Sequence, residues 1–255
     1  MAMLRRCLES IEASDGRSSL QVIVVDNGST DGSAALADDF PSVQFIRLPK
    51  NFGLTKAMNL GWRAADAEYV FFLHDDTELR PSTIPILAGG LDTRTDVAAV
   101  CPMLVDEKGE PTPQLGTLPP TGLWQPAAHG APLAVEFPRG AALMVRVYFI
   151  KAIRQIDERY GQFGSDADLA AEIRRASRKI LLMPAASVRH QGRTSYTAME
   201  RADFLLSRAV FLGKYEGWLA GIKARIAAVL GPLAALHLRE LKYTLNGQKI
   251  DGTHE

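Results

Sequence analysis

Apolar and polar positions switch between two periods along the first hundred residues, and the switching predicts helices and strands in turn. Residues 3–13 repeat their apolar positions at helical spacing, whereas residues 20–25 form a continuous apolar run that stops at the polar turn DNGSTDGS, as a buried strand would. The same reading predicts helices over 33–40, 54–65 and 81–91, and strands over 43–48 and 69–73. Pro85 should strain or shorten the third of these helices. Such alternation implies an α/β architecture around a mainly parallel sheet. Beyond the apolar run 97–105, residues 109–137 are rich in Pro and Gly and lose periodicity, which predicts a long loop of the kind that often carries function. Strands over 141–147 and 180–183 then flank a helix over 166–176, and from residue 199 the chain reads as helical. Residues 1–198 are therefore expected to form one domain, and 199–255 a C-terminal helical extension.

Composition narrows the picture in a few places. Lys plus Arg and Asp plus Glu number 29 each, so no basic excess points to nucleic acid as a partner. Cys7 and Cys101 lack metal-ligand spacing and predict free thiols in a reducing compartment. Arg5, Arg6 and Glu9 interrupt any secretory apolar stretch, so the expected location is cytoplasmic. Residues 219–238 are the most apolar late stretch, but Lys223, Arg225 and a break at Gly231-Pro232 make a spanning helix unsuitable. That stretch can lie peripherally on the inner face of a membrane, pack on the first domain, or meet a homodimer partner.

Three polar clusters follow apolar runs or open a helix, where ligands bind in open α/β sheets. The first begins at Asp26, whose carboxylate suits a base or ribose, while the rest of the turn serves equally to cap a helix. The second, His74-Asp75-Asp76-Thr77-Glu78, sets adjacent carboxylates at a strand end, and hard oxygen ligands suit Mg²⁺ or Mn²⁺ bridging a diphosphate. Helix capping and solvated charge compete with that reading. The third opens the helix at Asp166 and Asp168, where capping explains Asp168 better than Asp166, and is followed by His190 in a basic loop. Between the first two, Asn51, Gly53, Lys56 and Asn59 surround a helix start that can meet a nucleotide.

In their order, VVDNGSTDGS, NFGLTKAMNLG, YVFFLHDDTEL, RGAALMVR, IDERYGQFGSDADLAAEIRRAS and VRHQGRTS resemble the family 2 inverting glycosyltransferases of GT-A fold, particularly rhamnosyltransferase-like members, over about residues 4–195. The resemblance implies that Asp26 contacts the nucleotide and that Asn51, Gly53, Lys56 and Asn59 line the donor site. It implies that Asp76, with Asp75 beside it, matches the metal-binding acidic motif, and that His190 lies near the metal and diphosphate. Gly140 and Ala141 match a small-residue stretch near the sugar, and Asp166 matches the catalytic base. The implied substrates are a nucleoside diphosphate sugar and a saccharide or lipid-linked acceptor.

Two positions depart from the family pattern: Ser165 replaces a glutamate, and His74 occupies the first position of the acidic motif. The strand that opens the family fold has no counterpart before residues 3–13, so the native start is expected upstream of Met1; a chain that began at Met1 would be expected to show a cleft beside residues 20–26 and weak donor binding. Two other functions compete. Nucleotidyl transfer would need a glycine-rich triphosphate loop, and none is visible; a catalytically silent glycan- or nucleotide-binding module would need only the fold. Acceptor choice is expected in residues 109–137, where Trp124 can stack on a sugar or fill the core.

Overall fold

The computed structural model describes residues 1–193 and 195–252. The chain opens with helix α1 (Ala2–Glu12), which buries Cys7 and Leu8, and continues into strand β1 (Val22–Asp26). A 3₁₀ turn and the one-turn helix α2 (Leu36–Asp39) carry it to β2 (Val43–Arg47), which lies parallel to β1 with Val22 opposite Val43 and Asp26 opposite Arg47. Leu8, Leu36, Phe40 and Val43 form the small core of this unit. Helix α3 (Leu54–Ala64) then leads to β3 (Tyr69–Leu73), β4 (Thr77–Leu79) and α4 (Thr83–Asp92). Pro85 does not strain α4, because the helix begins two residues later than predicted and proline occupies its first turn, where the amide would have no partner in the helix.

The main sheet follows the order β3-β10-β5-β11-β4, with β8 (Leu133–Val135) also paired to β11. Its centre, β5 (Val97–Val105), is buried at all nine positions between β10 (Ala142–Arg146) and β11 (Lys179–His190). The α/β class holds, but the sheet is mixed. β11 runs parallel to β5, whereas β10 is antiparallel to both β3 and β5, and β4 and β8 are antiparallel to β11. The parallel β1–β2 pair is a separate sheet, with no ladder joining it to the main one among the described residues. Val22 to Val25 and all of β3 consequently stay half-buried.

Two other segments differ from expectation. The strand predicted over 180–183 runs on to His190, because Pro184 falls where the ladder with β5 shifts register, between Met183 and Ser187, and proline is tolerated at such an irregularity. The loop over 109–137 contains β6 (Pro113–Gly116) and β7 (Gln125–Pro126), which join β9 (Phe137–Pro138) in a three-stranded sheet. Trp124 fills space there: its ring tilts against Phe137 at 4.9 Å, and the Arg139 guanidinium also lies 4.9 Å from the ring centre.

Helix α5 (Val147–Ala152) precedes α6 (Ser165–Arg175), and after β11 come α7 (Ala198–Tyr215), α8 (Trp218–Ala234) and α9 (Leu238–Asn246). Thr197 and Glu200 form a reciprocal cap at the start of α7, close to the expected boundary at residue 198. The helix beyond that cap shares the first region's core. Phe211 is buried among Tyr160, Leu169 and Ile173, and the Asp168 carboxylate receives Lys214 Nζ at 2.8 Å and the Tyr215 hydroxyl at 2.7 Å. Helix α8 continues through Pro232 rather than breaking there, and ends two residues later at Ala234. Cys7 and Cys101 are both free, and both are buried.

A buried carboxylate holds the C-terminal segment down. Asp203 accepts hydrogen bonds from the backbone N–H of Gln162, Phe163 and Ile250 and from the Ser207 hydroxyl. Asp203→Ala would strand three backbone donors as well as the Ser207 hydroxyl, and an unsatisfied buried polar group is expensive; a loss of about 3 kcal/mol is expected. Urea unfolding measures it, and an unchanged midpoint would contradict the role.

Candidate active site

The turn between β3 and β4 carries His74, Asp75 and Asp76, and two ladders fix its position. On one side His74 N–H donates to the Ala141 carbonyl at 2.9 Å, at the start of β10. On the other, β4 pairs with the end of β11, so that Thr77 stands opposite His190, Glu78 opposite Arg189 and Leu79 opposite Val188. The following residues close over Asp76: Gln191 N–H donates to its carbonyl at 3.1 Å and Gly192 N–H to its Oδ2 at 3.2 Å. Asp76 Oδ1 then lies 3.3 Å from His190 Nε2 and 3.9 Å from His74 Nδ1.

That oxygen is buried and has no hydrogen-bond partner by geometry, with His190 Nε2 at 3.3 Å. A buried acceptor without a partner is costly, and one carboxylate oxygen facing two imidazole nitrogens is a donor set for a divalent cation. The ligand atoms of His74, Asp76 and His190 all fall within 4.8 Å of one another, so the residues present fit such an ion. Burial, ahead of every neighbouring charge, pushes His74 below the ordinary histidine value and favours the neutral, ligating imidazole. Burial alone would raise Asp76, but His190 and His74 outweigh it and hold its carboxyl below the ordinary range. Beside this group opens a cavity of about 180 Å³, walled by Arg6, Glu78, Glu107 and Arg189 among others.

Asp166 reaches the same neighbourhood by a different route. It sits in the first turn of α6, and its carboxylate accepts from its neighbour Ala167 N–H at 2.9 Å and from Gly140 N–H at 3.3 Å. Gly140 precedes Ala141, whose carbonyl holds His74, so one short segment ties Asp166 to the acidic turn. The approach requires glycine, since a Cβ at position 140 would lie 2.9 Å from the Asp166 Cβ. Burial raises the Asp166 carboxyl above the ordinary aspartate value, and the two backbone donors and the charge of Arg139 only partly offset it.

The remaining expected residues form a second group. Asp26, at the end of β1, accepts from Ser29 N–H at 2.8 Å. Asn27 donates to Asn51 Oδ1 at 2.9 Å and to the Gly53 carbonyl at 3.0 Å, while Phe52 N–H donates back to Asn27 at 2.9 Å. Gly53 has φ 81°, and its Cβ position is filled by the Ile250 carbonyl at 2.2 Å, so the close approach at this glycine comes from the protein's own C-terminal segment. Lys56 Nζ lies 4.5 Å over the Phe52 ring, and Asp75 is exposed. Asn59 leaves nothing for a donor. Its amide donates to Ile156 O and Glu158 and accepts from Ile156 N–H and Trp62, clamping α3 to residues 156–158. Sequence reasoning missed Asn27, although it directly follows Asp26, and treated His74 as a departure rather than as a ligand.

The family model for glycosyl transferase family 2 matches residues 2–148. The chain belongs to that family. An N-acetylglucosaminyl-diphospho-decaprenol L-rhamnosyltransferase of Mycobacterium tuberculosis is 26% identical over 84% of this chain and 81% of its own length. A pre-mycofactocin glycosyltransferase of the same organism is 30% identical over 82% of this chain and 43% of its own. Among solved structures, GalNAc-T7 with UDP, GalNAc and Mn²⁺ superposes with a TM-score of 0.71 at 14% identity, over 96% of this chain and 53% of that one. The mannosyltransferase PcManGT of Pyrobaculum calidifontis, in complex with GDP-Man and Mn²⁺, does so at 0.60 and 15%, over 96% and 77%. The glycosyltransferase therefore has the GT-A fold and is rhamnosyltransferase-like.

Gly140→Ala tests the link between the small-residue segment and Asp166. The added methyl group must displace the carboxylate, and a misplacement of that order costs about a hundredfold in rate. A fall in kcat with nucleotide binding retained is expected, and an unchanged kcat would separate Gly140 from the placement of Asp166.

Proposed function

We propose that this family 2 glycosyltransferase transfers a sugar from a nucleoside diphosphate sugar to a hydroxyl of a lipid-linked saccharide, with inversion at the anomeric carbon. One observation carries the reading: the segment Gly140-Ala141 holds a basic-shifted carboxylate, Asp166, against a His74, Asp76 and His190 group suited to a cation. The lipid-linked acceptor is supported by the likeness to the mycobacterial N-acetylglucosaminyl-diphospho-decaprenol L-rhamnosyltransferase, which aligns along most of both chains.

Asp166 acts as general base. Its carboxylate takes the proton of the acceptor hydroxyl while the acceptor oxygen bonds to the anomeric carbon and the bond from that carbon to the diphosphate oxygen breaks, so the nucleoside diphosphate leaves with the bonding pair. Attack on the face opposite the leaving group inverts the configuration and needs no glycosyl-enzyme intermediate. Ala167 and Gly140 aim the carboxylate and limit its basicity. His74, Asp76 and His190 would hold a divalent cation, which supplies neutralisation of the departing diphosphate. Two imidazole nitrogens with one carboxylate oxygen favour Mn²⁺ over Mg²⁺, which prefers oxygen ligands and retains its waters. Asp26, Asn51 and Lys56, with Asn27, would receive the nucleoside.

Asp166→Asn is expected to lower transfer by about 10²- to 10⁴-fold while donor binding persists. In the unsubstituted enzyme the active form is deprotonated and the carboxyl pKa is raised, so kcat/KM should fall with decreasing pH at values above the 3.8 of an ordinary aspartate. Rates of product formation against pH, measured by mass spectrometry with a panel of nucleotide sugars, check both. Full turnover of the asparagine variant would remove Asp166 from this role.

A further inference from the structure

Helix α8 is amphipathic in an inverted sense. The side it seats on α7 is built of small residues: Ala224, Ala228 and Pro232 are buried, and Gly221 meets Gly213 so closely that a Cβ would lie 2.7 Å from the Gly213 Cα. Its large apolar side chains point the other way. Trp218, Leu219, Ile222, Ile226, Leu230 and Leu233 recur at helical spacing along one face, each between 48% and 69% exposed. The turn that follows continues the pattern. Leu236 takes a left-handed conformation, φ 57°, that folding alone would give to glycine, yet it carries a leucine that is 78% exposed. An apolar strip of this length is unusual on a surface that meets only water.

Charge identifies what covers it. From residue 217 to 239 there is no acid, while Lys223, Arg225 and Arg239 fall within that span and Lys242 follows on α9. Lys223, Arg239 and Lys242 are exposed. Glu240, just beyond, is buried and paired with Arg201. In a chain with equal numbers of acids and bases overall, this is a local excess of one sign. A two-fold interface between copies would have to be self-complementary, and a strip with cations and no free acid is not. No helix among the described residues is long and apolar enough to cross a membrane.

We propose that the exposed face of α8, with the basic residues beside it, is a docking surface for an anionic phospholipid bilayer. The helix lies in the interfacial plane, its leucine, isoleucine and tryptophan side chains enter the acyl boundary, and Lys223, Arg239 and Lys242 meet the headgroups. The assignment stands apart from the transfer chemistry and would place an acceptor carried on a lipid within reach.

Flotation of the full chain with phosphatidylcholine vesicles, with and without phosphatidylglycerol, tests it. Binding is expected only to the anionic vesicles, with a blue shift of Trp218 emission that Trp218→Phe removes. Lys223→Gln and Lys242→Gln should each weaken binding roughly fivefold. Ile226→Ser combined with Leu230→Ser should abolish it while the thermal melt is kept, since both side chains are exposed. Failure to float with anionic vesicles, equal binding to both compositions, or wild-type flotation of the double serine variant would overturn the proposal. So would a sedimenting dimer that the serine variant dissociates without any vesicle binding.

Discussion

Three cross-strand pairs, Thr77 with His190, Glu78 with Arg189 and Leu79 with Val188, hold together groups that lie more than a hundred residues apart in the chain. The group formed by His74, Asp76 and His190 depends on this short antiparallel ladder. It brings His190 to the Asp76 carboxylate and lets Gln191 and Gly192 close over it, leaving Asp76 Oδ1 buried without a donor. Without the ladder β4 would be a polar turn on the surface. The ladder in turn rests on β5, which is buried along its whole length and pairs with β11 on both sides of the irregularity at Met183 to Ser187.

The two halves of the site use opposite electrostatics. Around Asp76 the histidines favour the charged carboxylate, as a metal ligand requires; around Asp166 burial outweighs two backbone donors and makes the carboxyl a better proton acceptor. Two aspartates thereby acquire opposite proton affinities from their surroundings. Residues 140 and 141 keep them in register, one backbone N–H facing Asp166 and the next carbonyl facing His74.

Much of this was legible in the sequence, because local signals encode it. Continuous apolar runs marked β1, β2, β3 and β5, and the polar residues that end them or open a helix drew attention to Asp26, Asp76 and Asp166. What escaped was non-local. β4 is three residues long, too short for any period, and its partner is hidden behind Pro184, which reads as a strand terminator. Asn59 has helical spacing from Lys56, but its partners at Ile156, Glu158 and Trp62 consume its whole amide, and most of them lie almost a hundred residues away. The mixed direction of the sheet was likewise invisible, since a buried strand reads the same in either orientation. His74 was read as a departure because it was compared with an acidic pattern, and its closeness to Asp76 and His190 is visible only in the fold.

On the proposed function, His74, Asp76 and His190 would hold one cation that serves a nucleoside diphosphate. Crystals grown with Mn²⁺ and a nucleoside diphosphate, and measured for anomalous scattering at the manganese edge, test it most directly. One strong anomalous peak is expected within coordination distance of all three side chains and of the diphosphate. A bound nucleotide with no peak there, or with the manganese held by other residues, would contradict it.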